Sequence, residues 1–171
     1  MRNYIFILFF VAAASTNIFT QTDSLSAGWK TKEDFEAAEG NVKKFVLWLQ
    51  NNTPAQDKEL RKDVSAYVLK WFIDCPYISI SIDEKFELLK SGYTYEPYML
   101  GIYMFGIGYY LIEHKNEKMG LKSVYAGYRS MLALYDTILK SEPTATNKQL
   151  DEYKKLEGSS ELKSYIKDKY Y

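Results

Sequence analysis

The sequence predicts an all-α fold: a single-domain helical bundle of five to six helices with one short extended connector. Three observations predict it. Apolar residues recur at helical spacing along most of the chain, most coherently between Lys118 and Lys140. Proline, glycine and capping residues fall where such helices would start and stop. One segment, Tyr77–Ile82, alternates with the period of a strand, and no second segment of similar quality stands ready to pair with it.

The N-terminus comes first. Arg2 is followed by an uncharged apolar run of 11 residues, Tyr4 to Ala14, and then by small and polar residues to Gln21. A secretory signal needs an apolar stretch of roughly 7–15 residues, whereas a membrane span needs about 20. Residues 1–21 are therefore read as a cleaved signal peptide and residues 22–171 as one helical domain, with 22–32 as a mobile leader. The cut is placed either after Ala14 or near Thr20. No Cys follows the run, which excludes a lipid anchor through an N-terminal thiol.

Thr31-Lys-Glu-Asp34 is a capping box opening a first helix, whose stripe is Phe35, Ala38, Val42, Phe45, Val46 and Leu49. Asn51-Asn52 ends it, and Thr53-Pro54 supplies an N-cap and a first-turn proline for the second. That helix carries Leu60, Val64, Tyr67, Val68, Trp71 and Phe72 on its apolar face, with Arg61, Lys62 and Lys70 off it. Cys75-Pro76 stops it, since the residue before a proline disfavours the α region. Ile78, Ile80 and Ile82 of the connector are expected to pin into the core, and Asp83–Leu89 to form a short helix.

Glu96-Pro97 opens an apolar helix from Pro97 to Ile112, uncharged throughout its 16 residues and interrupted by Gly101, Gly106 and Gly108. It is too short to span a bilayer and reads as the central buried helix, with glycines that let a neighbour approach. The stripe Leu121, Val124, Tyr128, Met131, Tyr135 and Ile138 makes the Lys118–Lys140 helix its antiparallel partner. Glu142-Pro143 breaks that helix. Two short amphipathic pieces, split at Gly158, close the chain and are expected to dock weakly.

Composition limits the chemistry. With 22 basic and 22 acidic residues, no global field draws nucleic acid or an anionic membrane. A single Cys excludes an internal disulfide, and one His with no H-E-x-x-H spacing supplies no metal site. No catalytic residue and no cofactor is assigned. His114 reads as a helix-end residue, and Cys75 as a small buried hydrophobe. The Ser-x-x-Lys matches at Ser160 and Ser164 lack their companion motifs. The 16 tyrosines are the most suggestive set. Most fall at helical spacing and line a core. Tyr93 and Tyr95, in a loop, are the candidates for an exposed binding surface.

Lys44–Pro54, with its W-L-x-x-x-T-P turn, is followed by Arg61–Ile73, by Cys75–Ile82 and by the Gly- and Tyr-bearing helix. Together these segments resemble a family of small exported all-helical proteins of Bacteroidota with no assigned activity. Cys75 departs from that pattern, which has a small polar residue before the proline. The resemblance implies export and a helical fold, and carries over no functional residue. It also implies an O-glycosylation acceptor at Ser24 within Asp23-Ser-Leu25; Thr137 matches the same pattern but lies in a packed helix. The expected function is a non-enzymatic binding module of the cell envelope, periplasmic or secreted, for a protein or a small ligand. The rival is an envelope hydrolase or transferase using two dispersed carboxylates.

Overall fold

The computed structural model describes residues 28–82, 86 and 92–171. Among them are six helices and no strand: α1 (Lys32–Asn51), α2 (Lys58–Asp74), α3 (Glu96–Glu113), α4 (Leu121–Ser141), α5 (Lys148–Gly158) and α6 (Leu162–Tyr170). The signal peptide, Ser24 and the Asp83–Leu89 helix lie outside the described residues, apart from the buried ring of Phe86.

The capping box forms as its sequence dictates. Thr31 Oγ1 accepts from Asp34 N at 3.3 Å, and Asp34 accepts from Thr31 N at 2.9 Å. The backbone amides of Lys30 and Thr31 hold the Asp34 carboxyl below its ordinary range. Packing begins before the cap. Trp29 sets its ring 5.0 Å from Tyr67 and 5.6 Å from Phe35, so the end of the expected leader, from Trp29 to Lys32, is corrected to packed chain; residues 22–27 of that leader lie outside the described residues.

α2 starts four residues later than Thr53-Pro54 predicts. Thr53 O accepts from Gln56 N in a turn, and Asp57, at φ 45°, caps the helix through Leu60 N at 3.2 Å. Pro54 is buried instead of opening the helix. α2 then ends at Asp74, before Cys75-Pro76, as expected. Trp71 is fully buried and donates its indole N–H to Phe35 O at 3.2 Å, clamping α2 to α1. In the connector only Ile78 is buried; Ile80 is half-buried and Ile82 faces outward. Extended alternation allowed three isoleucines on one face, but the segment leaves the core after the first.

α3 and α4 share the centre and pack antiparallel over the largest helix–helix contact among the described residues. Small residues make the approach possible. A Cβ at Gly106 would lie 2.2 Å from Ser130 Oγ, and one at Gly127 would lie 2.8 Å from the carbonyl oxygen of Tyr103. α1 covers both central helices, α2 lies against α1 and α3, and α5 and α6 close over α4. The tail docks firmly, not weakly: Leu150, Leu162 and Ile166 are fully buried, and Tyr170 places its hydroxyl 2.8 Å from that of buried Tyr128. One hydrophobic cluster draws on all six helices.

Candidate functional site

The two tyrosines predicted to form an exposed surface are half-buried, and both hydroxyls are engaged. Tyr93 donates to Ala145 O at 2.9 Å and Tyr95 to Glu142 Oε2 at 2.5 Å. They strap the start of α3 to the α4–α5 connection. Burial raises the Tyr93 phenol well above its ordinary range, and the hydrogen bond to Glu142 shifts the Tyr95 phenol upward. The ring series continues from Tyr95 to Tyr98 at 6.4 Å, and Tyr98 is 41% exposed.

Tyr98 belongs to a groove of about 610 Å³ between α2 and α3. Helical spacing builds it. Ala66 and Leu69 of α2 face Leu100, Met104 and Phe105 of α3 across an opening that Gly101 keeps wide. A Cβ added at Gly101 would meet nothing nearer than Phe105 at 4.0 Å, so unlike Gly106 this glycine adjoins open space. A second lobe of about 350 Å³ shares Leu69, Met104 and Phe105 and runs on past Phe72 and Ile73 to the connector. Leu69 and Ile73 are 42% and 71% exposed, which makes this lane the main apolar opening of α2.

At the other end lies Arg61, which the sequence reading placed off the apolar face. It is only 4% exposed. Its guanidinium donates to Asn52 O at 2.9 Å and Leu49 O at 2.8 Å, carbonyls at the end of α1 that have no helical partner. Its Nε is buried without a hydrogen-bond partner. Among the described residues no carboxylate forms an ion pair with it, and the Tyr98 ring lies 5.6 Å from Cζ. Burial pushes its pKa down to about 10, which leaves it cationic at neutral pH. The signal was available, because Arg61 stands seven residues before Val68 and ten before Trp71, in register with the buried stripe.

Lys58 and Lys62 flank Arg61 on the groove's exposed rim, and Glu59 is the one carboxylate lining it. A second opening of about 550 Å³, between α3 and α4, is lined by Tyr109, Tyr110 and Tyr125 and also by one carboxylate, Glu113. Lys43 is hydrogen-bonded to that carboxylate and holds it below its ordinary range. Neither opening brings together the two carboxyl groups that a glycosidase-like hydrolase would use.

The other sequence candidates have structural partners. Cys75 is buried, which raises its thiol pKa. His114 stacks on Tyr110 at 3.9 Å and places Nδ1 2.8 Å from Tyr110 O. Thr137 holds its hydroxyl 3.0 Å from the carbonyls of Gln50 and Ala133. Among the described residues no cluster of three His, Cys, Asp or Glu could hold a metal ion, and no helix is long and apolar enough to cross a membrane. Comparison with protein-family models, with curated proteins and with solved structures finds no match to this chain.

Proposed function

We propose that this chain is an exported helical module of the cell envelope that binds an apolar ligand in the groove between α2 and α3. Export rests on Arg2, the apolar run Tyr4–Ala14 and the alanine-rich exit after it. The resemblance to small exported proteins of Bacteroidota points the same way. Intact mass of the protein recovered from outside the cytoplasm reads signal removal and any glycan at Ser24 together.

One observation carries the binding reading: a groove of about 610 Å³ whose walls are mostly apolar and whose width depends on a glycine. Ligand sites of this kind are concave, largely apolar and carry few polar groups. The test uses a neutral solvatochromic dye such as Nile red. Its emission should rise and shift blue with the native protein. Gly101→Leu, which adds a side chain to open space and should leave folding intact, should remove that signal. Equal dye binding by a folded Gly101→Leu protein would place the apolar site elsewhere and end this reading. Glu59, alone on this groove, gives no support to the hydrolase alternative.

A further inference from the structure

Resting on that groove, we propose that its ligand is a single-chain amphiphile with an anionic head, its head at Arg61, Lys58 and Lys62 and its tail laid along α2 toward Ile73. The polarity of the groove sets the direction. Its α2 N-terminal end carries three cations against the single carboxylate of Glu59. The lane beyond them is Leu69, Phe72 and Ile73 on α2, with Met104 and Phe105 opposite. Twelve residues of α-helix separate Arg61 from Ile73, about 18 Å of axial rise, which is the length scale of an extended long acyl chain.

Charge supplies the second argument. A cation removed from water and left without a carboxylate is costly, and a buried charge is normally paired. The bonds of Arg61 to Leu49 O and Asn52 O satisfy two of its N–H groups but neutralise nothing. An anion at the groove end would offset that charge in a low-dielectric setting, where it counts for more than at a wet surface. Lys58 and Lys62 are exposed and make no ion pair among the described residues, so they are available to the same anion. Glu59 opposes it, but the three cations outnumber that one carboxylate. A protein helix would also lie in an apolar lane, but it would not need one cationic end. The head is a carboxylate, as in a free fatty acid, or a phosphate, as in a lysophospholipid.

Displacement of the dye by palmitate, hexadecyl phosphate and methyl palmitate, each held below its micelle concentration, tests this without altering the protein. Palmitate or hexadecyl phosphate should displace, and methyl palmitate should be weaker by about tenfold or more. Which of the two acids competes better identifies the source. Lys58→Gln with Lys62→Gln, both exposed positions, should narrow the gap between acid and ester. Leu69→Glu should weaken palmitate more than octanoate. Equal competition by acid and ester would overturn the anionic head while leaving the groove reading intact. A dye signal untouched by Gly101→Leu would remove both. A self-associating chain whose groove is closed by a second copy, seen by sedimentation and unaffected by palmitate, would also overturn the proposal.

Discussion

Replacing Gly106 with alanine should destabilise the fold, whereas the same replacement at Gly40 should stabilise it. Both glycines are helical, so alanine brings each about 1 kcal/mol of better helix propensity. At Gly40, exposed on α1, a Cβ meets nothing within 4 Å and the gain stands alone. At Gly106 the new atom would sit 2.2 Å from Ser130 Oγ, 2.5 Å from Ser130 Cβ and 3.1 Å from Ala126 O. A hydroxyl can rotate away, but Ser130 Cβ is fixed to the α4 backbone, so the two central helices must part. Overpacking of that kind costs about 1–3 kcal/mol, and the rigid contact argues for the upper half. The net loss is then about 1–2 kcal/mol, with Tm falling by about 2–4 °C per kcal/mol in a chain of this size. Urea unfolding followed by circular dichroism measures both variants. Ser130→Gly removes the two shortest contacts and should recover most of the loss, giving a coupling of about 1 kcal/mol or more. If both alanine variants moved stability by the same amount and sign, the close approach of α3 and α4 would be refuted.

Tyr93→Phe with Tyr95→Phe should cost about 1–2 kcal/mol through two lost hydrogen bonds and leave dye binding unchanged; altered dye affinity would return these tyrosines to the binding surface. Leu162→Ala should cost about 2–5 kcal/mol because that side chain is fully buried, and a loss in denaturation below 1 kcal/mol would mean a loosely docked tail. Alkali should weaken the fold. Burial raises Tyr135 from 10.0 to about 12. Its contribution is therefore complete below pH 10, where both states keep the proton. It is lost as pH climbs toward 12, because the unfolded phenol ionises first. Tyr67 and Tyr125 are raised in the same direction. Melting temperature unchanged from pH 9 to pH 12 would contradict that linkage.

Local rules were enough wherever one element decided the outcome. The Thr31–Asp34 box, the stop at Cys75-Pro76 and the five-turn stripe of α4 depend on neighbours in sequence, and all three appear where spacing puts them. Thr53-Pro54 failed because Asp57 offered a competing cap and Pro54 found a place inside the protein. Arg61 was misplaced for a related reason. A guanidinium is read as solvated from composition, yet the carbonyls of Leu49 and Asn52 drew it inward from another helix. Tyr93 and Tyr95 showed the same limit, since their partners Ala145 and Glu142 lie about fifty residues away in the chain. The groove itself was half legible. Gly101 stood among the three helix glycines, but only the packing distinguishes the one facing open space from the two facing a neighbour.

The hydroxyl contact between Tyr128 and Tyr170 bears on timing. Tyr128 sits at the middle of α4 with its ring edge-on to Tyr103 and Tyr153, and its phenol oxygen waits for a group in the last turn of α6. During synthesis, α6 emerges after the five other helices. Until then α4 exposes the surface that Leu162 and Ile166 will cover, and a buried hydroxyl lacks its mate. The outer face of α4 therefore closes only when α6 docks, which ties completion of this side of the core to the arrival of that helix.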